Sequence, residues 1–202
     1  MTTNAPTAAA KTSHVNMMVD TVVANLPAEG LRSIIRSQLA ANPAFTSFFI
    51  DSAQRYLRDT NDAVGKFFEY KQDSAGTPRP VATAEYGNAL RRIRAMVGSG
   101  LVFDALPRIN EILEKTLELE GWDHGSESEE DLIDSLSELE GDVVQSVTAI
   151  QKVLVARGLT EAERELVLGL AEALKKCKAL ADEKEAEDSF ERGLENVESL
   201  SS

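Results

Sequence analysis

The chain has 202 residues, a formal net charge of −13, and a composition that is 43% hydrophobic and 27% charged. These values predict one domain, or one domain with a tail, and exclude a chain that is disordered throughout. Only 5% of the residues are aromatic, which argues against an all-β fold, and the acidic balance excludes a general nucleic-acid-binding protein.

The N-terminal part of the chain reads as a leader followed by three helices. Residues 1–12 are small and polar, and we expect them to form a flexible leader. Apolar residues then recur at helical spacing as far as Leu26. Pro27 and Pro43 each suit the first turn of a helix, so two further helices are predicted, the second carrying Phe45 and Phe48 on one side.

The middle of the chain is less regular. The apolar piece from Val64 to Tyr70 is predicted to add a helical turn or two, with Phe67 and Phe68 in the core. If these two rings were exposed at the edge of the next segment, they would instead form a peptide-docking groove. Residues 72–82 contain one glycine and two prolines and are predicted to be a loop.

The C-terminal part predicts longer helices. Helices are predicted from Thr83 to Val97 and from Leu101 to Leu119, with Gly98-Ser-Gly100 between them as a break or a close helix crossing. A near-heptad pattern then runs to Gly158, and the capping box Thr160-Glu-Ala-Glu163 opens another helix. These last two helices are predicted to form a long antiparallel hairpin. Residues 181–202 read as an acidic tail or a frayed helix.

The predicted fold is therefore all-α: a multi-helix bundle of about seven helices, with one domain over residues 13–180. Its charge is uneven, since residues 1–101 carry 11 Lys and Arg against 8 Asp and Glu, and residues 102–202 carry 10 against 26. Three interpretations stay open. The charges are solvated helix faces, or they recognise a partner of opposite charge, or the acidic helices cover the arginines within the fold.

The candidate ligand-binding or partner-binding residues cluster on one predicted helix, as Tyr86, Arg91, Arg92 and Arg94. The chain has no phosphate-binding Gly-x-x-x-x-Gly-Lys loop, no Gly-x-Gly-x-x-Gly fingerprint, no Gly-x-Ser-x-Gly elbow and no His-Glu-x-x-His motif. No catalytic residue, metal site or cofactor is therefore predicted.

Two single residues have alternative interpretations. Cys177, beside three lysines, is either a small core residue or a thiol whose pKa the lysines lower. His124, next to Asp123, is either a polar loop residue or a weak metal ligand. Because the chain has one cysteine, it forms no internal disulfide, and a reducing compartment, cytoplasm or nucleus, is predicted. No apolar run is long enough to predict a membrane span.

The stretch Leu26-Pro-Ala-Glu-Gly-Leu-Arg-Ser-Ile-Ile35, followed by Asn42-Pro43, resembles the start of the helical domain in the fungal nuclear proteasome-tethering family. The resemblance covers about 30 residues and implies an all-helical fold. Members of that family use a lysine-rich N-terminal segment to engage the proteasome, whereas the leader here holds only Lys11. The resemblance therefore implies the all-helical fold more directly than it implies binding to the proteasome.

Four functional hypotheses follow. The preferred one is a non-enzymatic, intracellular helical module with an acidic C-terminal half that binds a protein partner. The second is a small helical ligand-binding protein or enzyme with a site near Tyr86, Arg91, Arg94 and the Gly98-Ser-Gly100 break. The third is an adaptor like the proteasome-tethering proteins. The fourth is self-association through the predicted hairpin, from Leu132 to Leu180.

Overall fold

The computed structural model describes residues 19–60, 65–74, 76–120, 127–184 and 190–201, without the side chains of 127–130 and 201. This part of the chain is mostly helical and holds one small antiparallel sheet. It divides into two compact units, one ending at Ser52 and the other beginning at Ala53. The single domain over 13–180 stays a prediction of the sequence.

The first unit consists of helices. Residues 19–25 are helical, helix α1 spans Ala28–Ala41, and helix α2 spans Pro43–Asp59, so that its last turns belong to the second unit. Pro43 is the first residue of α2, as the sequence predicts, whereas Pro27 is the N-cap residue that immediately precedes α1.

The second unit contains a β-hairpin and five further helices. The elements are β1 (Phe68–Gln72), β2 (Pro78–Ala82), α3 (Ala84–Gly98), α4 (Val102–Leu117), α5 (Glu127–Arg157), α6 (Glu161–Glu183) and α7 (Glu191–Glu198), followed by a 3-10 turn at Ser199–Ser201. Helix α6 packs most extensively against α4, whereas β2 and α3 contact α5. Helix α4 therefore lies at the centre of the packing.

The hairpin corrects two predictions, since a helical turn is expected over Val64 to Tyr70 and a loop over residues 72–82. In the observed register the N–H of Thr83 donates to the carbonyl of Phe67 over 2.9 Å. Because hydrogen-bonded positions alternate along an antiparallel pair, the backbone N–H groups of residues 79 and 81 point toward β1, whereas the backbone nitrogens of Pro78 and Pro80 point away from it. Neither proline is needed as a donor there, so a proline-rich segment forms an edge strand.

The core of the second unit follows the predicted apolar stripes. Its fully buried side chains on the long helices include Ile93, Leu106, Ile109, Ile112, Leu113, Leu139, Val143, Val147, Ile150, Leu170 and Leu174. The spacing of three and four residues on α3, α4, α5 and α6 thus identifies the inward faces correctly. Leu154, the last member of the predicted stripe on α5, is instead exposed.

The break between α3 and α4 is a helix cap rather than a close crossing. Gly100 has φ 87°, in the left-handed region that glycine tolerates best. The N–H of Leu101 donates to the carbonyl of Met96 over 2.8 Å, and that of Gly100 to Val97 over 3.1 Å. These two bonds satisfy carbonyls at the end of α3, as in a Schellman motif.

The C-terminal residues 190–201 are packed helix in place of the predicted acidic tail or frayed helix. Helix α7 contacts both α5 and α6, and Phe190 and Val197 are buried. The N–H of Gly193 donates to a carboxylate oxygen of Glu140 over 3.0 Å. Apolar residues at Phe190, Leu194 and Val197 have helical spacing, and they supply the face that α7 buries.

The predicted capping box at the start of α6 is confirmed. The side chain of Thr160 accepts from the N–H of Glu163, and the Glu163 carboxylate accepts from the N–H of Thr160. Arg157 donates to the same carboxylate over 2.6 Å. Arg157 and Thr160 together lower the pKa of Glu163 to about 2, so the stabilisation from its ionised form is lost only as the pH falls from the ordinary carboxyl range toward that value.

Replacing Thr160 by alanine removes the cap, and we expect the free energy of unfolding to fall by about 1 kcal/mol. Urea denaturation of the full chain measures this loss. Thr160→Ser keeps the hydroxyl and is expected to retain most of the stability. An alanine variant as stable as the serine variant would contradict a role for the cap.

Candidate interaction surface

The structure places Tyr86 in the core of the second unit. Its side chain is buried, its ring packs against Phe68 with centroids 5.4 Å apart, and its hydroxyl donates to the backbone carbonyl of Ser135 on α5. Burial, and then the nearby carboxylates of Glu138 and Asp142, raise the pKa of Tyr86 above its ordinary value. Tyr86 therefore links α3 to α5, because its hydroxyl stays protonated and donates a hydrogen bond to α5.

Arg94 joins the same two helices by an ion pair. Its Nε lies 2.7 Å and 2.9 Å from the two carboxylate oxygens of Asp142, and its Nη2 lies 3.1 Å from Glu138. Asp142 is buried, whereas Arg94 is half exposed. Burial raises the pKa of Asp142, although Arg94 acts in the opposite direction. At Arg94, therefore, carboxylates of the acidic half pair with an arginine within the fold, in the manner of the third interpretation of the charge pattern, while the arginine itself stays half exposed.

The other two arginines of α3 point to different neighbours. Arg92 donates to the carbonyls of Leu57 and Thr60 at the end of α2, where the last helical carbonyls lack partners within the helix. Arg91 is exposed and donates to Asn88 on its own helix. The structure thus brings Tyr86 and Arg94 together against α5 and does not gather all four predicted residues at one surface.

The remaining single residues of interest are core residues or lie outside the described residues. Phe67 and Phe68 are buried, as the core interpretation predicts, and the Arg108 guanidinium lies 5.0 Å from the centre of the Phe67 ring. Cys177 is also a core residue, since its side chain is fully buried, and this burial raises the pKa of its thiol to about 12. His124 falls outside the described residues. Within the described ranges, no three potential ligands among His, Cys, Asp and Glu gather into a metal site.

The largest apolar exposure lies in the first unit. No residue from 19 to 52 is buried, although α1 carries the apolar stripe Leu31, Ile34, Ile35 and Leu39. Ile34 is 48% exposed, and Phe48 on α2 is 65% exposed with its ring 5.8 Å from that of Phe45. We call the side chains of Val19, Val22, Val23, Ile34, Ile35, Phe45 and Phe48 the N-terminal apolar surface.

The charges of the first unit nearly cancel. Residues 19–52 contain three acidic and two basic side chains. On α1 Glu29 pairs with Arg32 at 3.3 Å and with Arg36 at 3.1 Å. The hydrogen bonds from Arg32 and Arg36 lower the pKa of the Glu29 carboxyl, and the bond from Arg32 has the larger effect. The first unit thus combines exposed apolar side chains with a nearly neutral charge, and protein interfaces are likewise poor in net charge at their centre.

Comparison of the chain with protein-family models, with curated proteins and with solved structures gave no match. The resemblance of residues 26–35 to proteasome-tethering proteins therefore stays a prediction. None of the helices in the described ranges is both long and apolar enough to cross a membrane.

Proposed function

We propose that the protein is a non-enzymatic helical adaptor whose N-terminal apolar surface docks against another protein. The observation that carries this proposal is that no residue from 19 to 52 is buried, although their helices carry apolar stripes. Large exposed apolar patches mark interaction sites in folded proteins, and the exposed stripes of these helices favour such a site here.

Helix energetics support the same conclusion. Helix α1 has 14 residues, and isolated helices below about 12–15 residues are marginally stable in water. Burying one large aliphatic or aromatic side chain contributes about 1.5–3 kcal/mol. Docking Ile34, Ile35 and Phe48 against a partner would therefore stabilise both the complex and the helices that form it.

The charge distribution narrows the class of partner. The first 52 residues carry equal numbers of acidic and basic side chains, so the whole net charge of −13 lies on residues 53–202. A partner with an apolar groove and a neutral or basic border suits this arrangement, because an acidic border would be repelled by the second unit. Within this proposal, the helices of the second unit serve as the body of the adaptor.

Crosslinking in intact cells tests the proposal with three matched aspartate variants of the full chain. Ile34→Asp and Phe48→Asp each place a charge on the N-terminal apolar surface, and we expect at least a tenfold loss of the crosslinked partner, which corresponds to about 1.4 kcal/mol. Ser33→Asp adds the same charge to the opposite face of α1 and is expected to leave the partner in place. Quantitative mass spectrometry measures all three.

Two outcomes would contradict the adaptor. One is a set of crosslinked proteins that is identical for Phe48→Asp and the unmodified chain. The other is the lack of any partner above background at both low and physiological salt. The proteasome is the first partner to look for among the crosslinked proteins, because residues 26–35, which carry the resemblance, include the exposed Ile34 and Ile35 of α1.

The alternative of a ligand site near Tyr86, Arg91 and Arg94 gains no support from the described residues. The hydroxyl of Tyr86 is bonded to Ser135, and the guanidinium of Arg94 to Asp142. Both groups are therefore engaged in joining α3 to α5.

A further inference from the structure

Strand β1 has an outer edge whose backbone groups lack partners. The N–H of Asp73 donates to the carbonyl of Thr77 across the hairpin over 2.9 Å. Because bonded positions alternate along an antiparallel pair, the N–H and carbonyl groups of Phe68, Tyr70 and Gln72 point away from β2. Within the described ranges these backbone groups form no hydrogen bond. Tyr70 and Gln72 are exposed, so another chain can reach this edge.

The opposite edge of the hairpin is protected. Two of the outward backbone nitrogens of β2 belong to Pro78 and Pro80, which have no hydrogen to donate. Strand β2 also packs against α5, whereas no described helix packs extensively against β1. Folded proteins protect the edges of their sheets with prolines or by covering them, and β1 has neither form of protection. Strand β1 is therefore the edge at which this sheet can be extended.

A groove of about 300 Å³ lies beside β1. Its apolar lining consists of Phe67, Phe68, Tyr70 and Leu119, so it lies between the hairpin and the end of α4. Side chains on one face of a strand are two residues apart, and Phe68 and Tyr70 share such a face. A strand added to β1 would run about 4.8 Å from it, which brings the side chains on the same face of the added strand to the groove.

The charges at the groove favour an acidic group on its occupant. Lys115 pairs with Glu118 over 2.8 Å, and both residues line the groove. Lys66 also lines it and is exposed, and it forms no ion pair within the described part of the chain. The groove therefore has one cation in excess, and a carboxylate on the occupant would pair with Lys66. A second copy of the chain is a poorer occupant, because two copies that each carry a net charge of −13 repel each other.

We propose that β1 binds an extended segment of another protein as a third strand of the sheet. The outward backbone groups of Phe68, Tyr70 and Gln72 supply the hydrogen bonds, and the groove receives one large apolar side chain of the segment. An Asp or Glu of the segment, close to that side chain, pairs with Lys66. This site goes beyond the proposed adaptor function and does not depend on it, because it shares no residue with the N-terminal apolar surface.

A library of random peptides displayed on phage and selected on the full chain is the probe for this site. We expect the selected peptides to share a large apolar residue with an Asp or Glu close to it. Hydrogen exchange, followed by NMR with a selected peptide bound, is expected to slow at the amides of Phe68, Tyr70 and Gln72. The amides of Glu69 and Lys71 face β2, and their exchange is expected to change little.

Two pairs of variants of the full chain separate the backbone bonds from the charge. Gln72→Pro removes an outward N–H and places a ring at the edge, so we expect it to weaken peptide binding by at least about tenfold. Gln72→Ala keeps the N–H and is expected to bind as the unmodified chain does. Lys66→Glu is also expected to weaken binding about tenfold, whereas Lys176→Glu makes the same charge change at an exposed position of α6 and is expected to have no effect. Fluorescence anisotropy of a labelled peptide measures all four.

Four results would overturn this site. They are no selected peptide above background, equal affinities within either pair of variants, exchange at the three outward amides that the peptide does not change, and slow exchange there in the free chain. The last result would show that the edge is already covered, by a second copy if the protection rises with concentration and by the chain itself if it does not.

Two controls keep the test independent of folding and of the adaptor function. Circular dichroism shows whether each variant is folded. If Gln72→Pro unfolds, a selected peptide methylated on alternate backbone nitrogens tests the same hydrogen bonds with the unmodified chain, and undiminished binding of that peptide would also overturn the site. Phe48→Asp is expected to bind the peptide normally, so the loss of its crosslinked partner would concern the adaptor function alone.

Discussion

Replacing Phe190 by alanine is expected to lower the free energy of unfolding by about 3 kcal/mol. Phe190 is 1% exposed and is one of the largest fully buried side chains in the described part of the chain. Its backbone has φ 67°, a left-handed conformation that costs a residue with a side chain about 1–2 kcal/mol. The burial of the ring offsets this strain and holds the start of α7 in place.

Two measurements distinguish a loss of stability of the whole unit from a local undocking of α7. Urea denaturation reports the free energy of unfolding, and hydrogen exchange reports the protection of amides over Glu191–Glu198. If α7 undocks before the rest of the unit unfolds, urea denaturation shows a smaller fall in the free energy of unfolding. The amides of α7 then still lose protection against hydrogen exchange. Phe190→Leu keeps most of the apolar volume and serves as the control, with a smaller expected loss. Unchanged stability together with unchanged protection in Phe190→Ala would show that the ring does not anchor α7.

The helices of the second unit were predictable because their signals are local. A capping residue acts within three positions of itself, as Thr160 does, and an apolar stripe repeats every three or four residues. Both signals are complete in the sequence before any tertiary contact forms. For this reason the predicted starts of α3 and α6 agree closely with the structure.

The hairpin was not predictable from the same signals, because strand pairing is not local. Pro78 and Pro80 are strong indicators of a loop, and they are tolerated in β2 because the register with β1 points the backbone nitrogen of each away from the paired strand. That register depends on residues ten or more positions away, such as Phe68 opposite Ala82. Single-residue preferences therefore favour a loop where the tertiary structure forms a strand.

The candidate surfaces show a second limit of sequence patterns. The stripe Leu31, Ile34, Ile35 and Leu39 on α1 has the same spacing as the buried stripes of α4 and α5, and periodicity alone cannot tell a core from a docking surface. The arginines of α3 show that residues close in sequence need not share a site. Their proximity in sequence indicates a joint site, but the helical turn sends Arg92 to the end of α2 and Arg94 to α5.

The ion pair between Arg94 and Asp142 yields a prediction with a defined pH dependence. Replacing Arg94 by alanine leaves the buried Asp142 carboxylate without its cation, and near pH 7 we expect the free energy of unfolding to fall by about 2 kcal/mol. This figure is below the range of about 3–5 kcal/mol for a fully buried pair, because Arg94 is half exposed and water screens part of the interaction.

The sign of the pH dependence follows from the pKa of Asp142. Burial raises this pKa in the folded protein, and Arg94 lowers it, so removal of Arg94 raises it further. A carboxyl whose pKa is higher in the folded than in the unfolded state destabilises the fold while it is ionised, and this penalty disappears as the pH falls from the folded pKa toward the unfolded one. The stability deficit of Arg94→Ala is therefore expected to be full near pH 7 and to shrink toward about pH 4.

A double-mutant cycle with Asp142→Asn separates charge from packing. In the asparagine background no carboxylate remains at position 142, so Arg94→Ala is expected to cost less and its cost to lose most of its pH dependence. Glu138 also contacts Arg94 and is kept in all variants, so that its own titration is common to the whole cycle. A deficit that is the same near pH 7 and pH 4 in both backgrounds would mean that Arg94 acts through its aliphatic stem and not through the charge on Asp142.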